Sequence, residues 1–403
     1  MDGMDIAAAP VSKAAYQRFR ATRHFGSLDA LRALAIIAVV WHHTGGQDTT
    51  LPIIGQRGYL GVELFFVISG FLITTLLLRE EADHGTISLR NFYARRSLRI
   101  FPLYYAVLAI YSLLVLVAEA DQAAKGEFFS NLPAFMTYTG NWFIDPDSSR
   151  IIFTFSWSLA AEEQFYVVWP LIRRYTSSAV ADVIGVLGLG GVVAASLFLW
   201  SGDVALASLP ERVLRSVSLA ICSGVVLAIL LNRRRAFESI HRVLGQPLAA
   251  TLAAAATILV LVAPASTHLI QTLAFTVLLG TTVCREDHGL QGLSGVPGLG
   301  LIGKLSYGIY LFHMIVVNVV ERAMGEAMAG YTAMLFLTTL AATIGVASLS
   351  WRYFESPILA HKKRWDRKPP VTADQPAWDL GPVPSELGGS SPGRDLLVGE
   401  PNR

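Results

Sequence analysis

LDALRALAIIAVVWHHTGG, residues 28–46, is an apolar run of bilayer-crossing length that carries Arg32 near one end and His42 and His43 near the other. A spanning helix needs about 20 apolar residues, because each residue rises about 1.5 Å through a hydrocarbon core of roughly 30 Å. Ionisable groups at that depth are costly, so a segment that keeps them has a use for them. The rest of the chain has the same character. Of its 403 residues 53% are hydrophobic and 15% charged, and the mean hydropathy is +0.48. A soluble chain would carry about a quarter charged residues. The composition therefore excludes an ordinary soluble domain and points to an all-α integral membrane protein.

Further runs of spanning length fall at 58–78, 99–118, 156–173, 179–200, 213–231, 247–264, 267–284, 300–320 and 333–352, which makes ten with the first. The fourth is the weakest, because Glu162 and Glu163 are adjacent within it. The stretch FFSNLPAFMTYTGNWF, 128–143, is too short and too polar to cross and reads as a re-entrant or interfacial piece. With ten spans and the N-terminus inside, the inside segments as far as Lys368, with their span edges, hold 23 lysines and arginines against 6 outside, as the positive-inside rule requires. Both termini are thus expected on the cytoplasmic side of a bacterial inner membrane. Lys13, Arg18, Arg20 and Arg23 precede the first run, but no small-residue cleavage site follows it, so the run is expected to remain attached. Three regions result: a cytoplasmic segment 1–27, a membrane domain 28–357, and a tail 358–403 rich in Pro, Gly and Ser that is expected to be disordered. Cys222 and Cys284 are isolated in apolar surroundings, which suggests neither a disulfide framework nor a metal site. No metal, no permanently bound cofactor and no nucleic-acid partner is expected.

Five places keep polar groups at membrane depth. On the first span, Arg32 and His43 are eleven residues apart, about 16 Å along a helix, and histidine is the side chain best suited to take a proton from a hydroxyl near neutral pH. On the second, GVELFFVISGFLI, Glu63 falls at roughly the depth of His43, where a carboxylate can hold an imidazole; Asp48 is a rival partner. Ser69 and Gly70 on that span read as close-packing residues. On the third, FYARRSLRIFPLYY, Arg96 and Arg99 share a helix face at the cytoplasmic mouth and can grip phosphate as forks. On the fourth, SWSLAAEEQFYVVWP, Glu162, Tyr166 and Glu163 face the interior, and Trp157 or Tyr166 offers a ring on which a sugar can stack. On the ninth, LSYGIYLFHMIV, His313 reads as a buried histidine bonded to a neighbouring helix.

These positions describe one chemistry. The basic mouth suits the phosphates of an acyl-coenzyme A, whose extended pantetheine arm matches the Arg32–His43 separation. The thioester would then meet a His–carboxylate pair at the outer end. There a hydroxyl activated by the base attacks directly, or the histidine is acylated first.

The blocks LDALRALAIIAVVWHH, GVELFFVISGFLI, RRSLRIFPLYY, SWSLAAEEQFYVVWP, LSYGIYLFH and SWRYFESP, in that order from Leu28 to Pro357, resemble the acyltransferase-3 family of integral membrane acyltransferases. The resemblance implies ten spans and an acyl, chiefly acetyl, transfer from acetyl-CoA to a hydroxyl of a glycan, lipid or small molecule. It assigns Arg32, Arg96 and Arg99 to the donor's site. It matches His43 to the essential histidine, Glu162 to the acidic residue of the fourth-span block, and Glu63 to a position usually held by Asp. The catalytic set is then His43, Glu63 and Glu162, with Trp157 and Tyr166 on the acceptor. His42 falls where the family has an aromatic. Many members carry a fused extracytoplasmic domain; none is read here, which implies action alone or with separate polysaccharide-assembly proteins. A transporter of a polar solute is the rival class; it does not explain a histidine at one end and an arginine cluster at the other. The spacing from His43 to Asp48 also fits the H-x4-D pattern of lipid acyltransferases, a pattern short enough to arise by chance.

Overall fold

The computed structural model describes residues 8–22, 24–46, 48, 50–144, 152–198, 208–325 and 332–365, all within one compact unit, Met1–Arg367. Among the described residues the regular structure is helical, with no strand. Ten apolar helices lie where the ten runs were read: α1 (Gly26–Trp41), α2 (Leu60–His84), α3 (Leu89–Ala118), α4 (Trp157–Tyr175), α5 (Ser178–Phe198), α6 (Leu219–Asn232), α7 (Ala249–Val262), α8 (His268–Cys284), α9 (Leu299–Met324) and α10 (Thr332–Ser350). By length and composition α2, α3, α5, α9 and α10 can each cross a membrane, and up to eight cross if α1, α6 and α7 are each joined to the bent helix before them. The other two fall short for different reasons. The 19-residue α4 carries Glu162, Glu163, Arg173 and Arg174, and α8 has 17 residues. The protein is thus an all-helical chain with five to eight candidate spans on this measure.

The core is built on α1, α2, α6 and α9. Gly70 of α2 and Gly224 of α6 bring two backbones together: a Cβ on Gly70 would strike the carbonyl of Ile221, and one on Gly224 the carbonyl of Val67. Small residues permit such approaches, and dispersion attraction between the closely apposed backbones holds helices together where no hydrophobic effect operates. On the lipid side the same helices present large apolar groups, such as Leu76 and Leu230. The stretch read as re-entrant begins earlier than read, as a helix Gln122–Met136, and turns back through Tyr138 at φ 54°. It is held against α3 by Tyr104 and Tyr105, whose hydroxyls donate to the carbonyls of Phe135 and Met136, each at 2.8 Å.

Polar clasps gather helix ends at one face. Arg79, at the end of α2, donates to the carbonyls of Phe19 and Thr22, just before α1. Arg173, at the end of α4 and with its side chain wholly buried, bonds Glu81 and Asp182, each at 2.6 Å. Arg233, just after α6, bonds the other oxygen of Asp182. Arg285, after α8, donates to the carbonyl of Gly245 before α7 at 3.2 Å, and Thr22 to Glu286 at 2.9 Å. Arg95 donates to the carbonyl of Trp365 at 2.7 Å. Residues 358–365, read as the start of the tail, are helical; the remainder of the tail lies outside the described residues.

Candidate active site

Five helices converge on a cavity of about 80 Å³. Helical spacing explains who faces it. Ser158, Glu162 and Tyr166 recur every four residues along α4 and form one stripe, Arg96 and Arg99 share a face of α3, and Arg32 enters from α1. Ser69 enters from α2 and Ser306, Tyr307 and Tyr310 from α9. The structure thus brings together Arg32, Arg96, Arg99, Glu162 and Tyr166, five of the eight site residues read from the sequence.

Within the cavity Tyr166 does two things. Its ring lies under the Arg96 guanidinium, 3.7 Å from Cζ to the ring centroid, and its hydroxyl donates to Glu162 Oε1 at 2.8 Å. The Ser69 hydroxyl donates to the same oxygen, so Ser69, read as a packing residue, is part of the polar site. Arg32, Arg96 and Arg99 make no ion pair or hydrogen bond to a described residue, and Arg96 Nε is buried without a partner. Three guanidiniums gathered at membrane depth without a hydrogen-bond or ion-pair partner among the described residues are costly, and fork-shaped donors of this kind match an anion such as phosphate. Glu163, 7% exposed, lines this cavity and also a larger, mainly apolar one of about 710 Å³ bounded by Phe101, Trp169 and Val225.

A second polar cavity, about 340 Å³, contains His43 with Tyr111, Glu119, Asn318 and Arg322. His43 lies in the widened turn His42–Gly46 that ends α1. Its Nδ1 is 3.0 Å from the carbonyl of Val39. A carbonyl only accepts, so Nδ1 carries the hydrogen and the Nε2 lone pair is the basic one. One aromatic layer separates the two cavities. Tyr310 lines the first, Phe155 the second, and their rings are 5.6 Å apart. The Tyr310 hydroxyl is 2.6 Å from that of Ser158 and 2.7 Å from the carbonyl of Phe155.

Two expected contacts differ. Glu63 was read as the partner of His43, but α2 presents it to α8, where its Oε2 is 3.1 Å from Nε2 of His268. Asp48 accepts from the amide of Thr50. His43 therefore has no carboxylate partner among the described residues; a backbone carbonyl orients it. Trp157 is 45% exposed, packs edge-on against Phe66, and lines neither polar cavity. Ser158, Tyr307 and Tyr310 went unread, since hydroxyl groups are common in membrane helices. The four-residue recurrence from Ser158 to Tyr166 was the available signal.

The arrangement sets three arginines and an oriented imidazole in two neighbouring cavities of one bundle of apolar helices. The chain belongs to the acyltransferase family whose profile, described as an acyltransferase domain, matches residues 25–351. It is 28% identical over 371 residues to the peptidoglycan O-acetyltransferase OatA of Listeria monocytogenes, covering 83% of this chain and 56% of that protein. It is 27% identical over 374 residues to a protein of Staphylococcus aureus strain COL provisionally named an O-acetyltransferase, covering 85% and 58%. It is also 28% identical over 379 residues to YrhL of Bacillus subtilis, provisionally named a peptidoglycan O-acetyltransferase, covering 85% and 56%. The chain spans less than three-fifths of the length of these relatives. No solved structure matches it.

Proposed function

We propose that this chain transfers an acetyl group from acetyl-CoA, bound from the cytoplasm, to a hydroxyl of a cell-surface glycan such as peptidoglycan or another polysaccharide. In this reading it crosses the bacterial inner membrane ten times with both termini inside. The observation that carries it is the cluster of Arg32, Arg96 and Arg99, gathered around one cavity with no hydrogen-bond or ion-pair partner among the described residues, on the helix bundle that also holds His43. The O-acetyltransferase names of the relatives support acetyl and a glycan acceptor.

The residues have distinct tasks. The guanidiniums hold the donor's phosphates. Glu162, through Tyr166, keeps Arg96 aimed. The pantetheine arm runs past the Tyr310–Phe155 layer, which must part for it, and brings the thioester to His43. There Nε2 takes the proton of the acceptor hydroxyl as its oxygen attacks the thioester carbonyl. The C–S bond breaks, and the leaving thiolate takes the proton back from the imidazolium. Glu63, paired with His268, has no place in this step.

The test uses purified protein in detergent with acetyl-CoA and soluble peptidoglycan fragments, following thiol release and acetyl-CoA binding. His43→Ala is expected to bind the donor normally and lose turnover by about 100-fold or more, within the range for a lost general base. Arg99→Ala is expected to weaken binding. Absence of acyl-CoA binding by wild type would overturn the reading.

A further inference from the structure

His313 of α9 is a buried titratable group that the mechanism above leaves without a task. It is 0% exposed. Its Nδ1 is 2.5 Å from the carbonyl of Tyr310, so Nδ1 carries the hydrogen and Nε2 bears a lone pair. That Nε2 is fully buried and has no hydrogen-bond partner. A histidine kept for structure alone is expected to satisfy both nitrogens or to be replaced by an apolar side chain of similar size. Its ring stands 4.9 Å from that of His43, centroid to centroid. Both imidazoles are therefore held in the same way, each with Nδ1–H tied to a carbonyl of its own helix. Two lone-pair nitrogens cannot bond each other. A proton on either one creates the missing donor.

We propose that His313 is a positioning residue for acyl transfer: its unpartnered Nε2 accepts a hydrogen bond from the imidazolium that His43 becomes on taking the acceptor's proton. The inference rests on the general-base reading of His43. It supplies what Glu63 was expected to supply, a partner for the charged imidazole, from a neutral group that leaves the resting site uncharged. The His42 ring is also near that of His43, at 5.1 Å, and its Nδ1 is likewise buried without a partner, but His42 adjoins His43 in the same turn and is half-buried, whereas the His313 ring is nearer and wholly buried. Tyr111, Glu119 and Arg322 line the same cavity. Tyr310 already donates to Phe155. The proton stays on His43 until the leaving thiolate takes it, so no net transfer to His313 is required.

Two near-isosteric variants separate the roles of the two nitrogens. In His313→Asn the amide nitrogen replaces Nδ1 and keeps the bond to Tyr310, and nothing replaces Nε2. In His313→Gln the longer amide can set its oxygen near the place of Nε2. With acetyl-CoA and soluble peptidoglycan fragments, His313→Asn is expected to lower kcat about tenfold or more, as loss of a charged hydrogen bond does, with KM for acetyl-CoA unchanged. His313→Gln is expected to keep most of the rate. A wild-type kcat in His313→Asn, an effect confined to KM, or a Gln variant as slow as the Asn variant at equal melting temperature would overturn the proposal. Failure of the underlying reading looks different: wild type would show no turnover, or His43→Ala would retain it.

Discussion

Arg96 illustrates how one side chain can be prepared for a ligand by its neighbours. It has no carboxylate within ion-pair reach among the described residues, yet its guanidinium lies on the Tyr166 ring at 3.7 Å, and Tyr166 is fixed by Glu162. Stacking leaves the planar donor edges free, which a direct salt bridge would occupy. Lysine can repeat the charge but not the fork or the stack. Arg96→Lys should therefore weaken acetyl-CoA binding about tenfold, roughly 1.4 kcal/mol, measured by calorimetry in detergent. Tyr166→Phe should keep most of the affinity and Tyr166→Leu should lose it. Equal losses in the two would assign the effect to the hydroxyl instead of the ring. The charged members of this site were legible because an arginine or glutamate is conspicuous in an apolar run. Their partners were not. Glu63 meets His268, 205 positions further along the chain, and only the packing of α2 beside α8 decides that. His43 met a carbonyl, and backbone partners leave no trace in residue identity.

At the level of the helix, α4 shows why hydropathy undervalues some segments. Its polar stripe, Ser158, Glu162 and Tyr166, faces the cavity, while Val167 and Val168, each 52% exposed, face outward. Averaging over the helix hides this division, and the two carboxylates alone make it look unfit to cross. The position of α4 could be read from sequence, but the depth at which it lies could not. The α2–α6 contact was half legible. Gly70 stood beside Ser69 and read as a packing site, but its counterpart Gly224 sits in a run where nothing marks it. Since a Cβ on Gly224 would meet the backbone of Val67 and Phe71, no rotamer change can relieve Gly224→Leu. The two helices must separate, a cost of at least about 2 kcal/mol by analogy with overpacked cores. A clear fall in the detergent melting temperature is expected. Gly188→Ala is the control, because a Cβ there meets nothing within 4 Å, and it should melt like wild type. A stable Gly224→Leu would mean that the α2–α6 contact is looser than described.

For the molecule as a whole, the polar clasps bear on how many times the chain crosses. Arg79 ties the end of α2 to the start of α1. Arg173 ties the end of α4 to Glu81 at the end of α2 and to Asp182 near the start of α5, and Arg233 returns to Asp182 after α6. Arg285 joins the end of α8 to the start of α7. The ends of α2, α4, α6 and α8 are thus tied to segments near the starts of α1, α5 and α7, which favours α4 and α8 crossing despite their charge and shortness. The basic residues of the clasps are those that the positive-inside count puts in the cytoplasm. Parity makes the idea testable. In a background lacking Cys222 and Cys284, a cysteine at Arg235 should react only with membrane-permeant thiol reagents in intact cells, and one at Lys125 should react with impermeant ones. If α4 failed to cross, every later segment would change sides, and Arg235 and Lys125 would be labelled from the same side. Arg32, Arg96 and Arg99 precede α4 and would keep their side, so that result would instead turn over α9, which packs on α1 and lines the arginine cavity with Tyr307 and Tyr310.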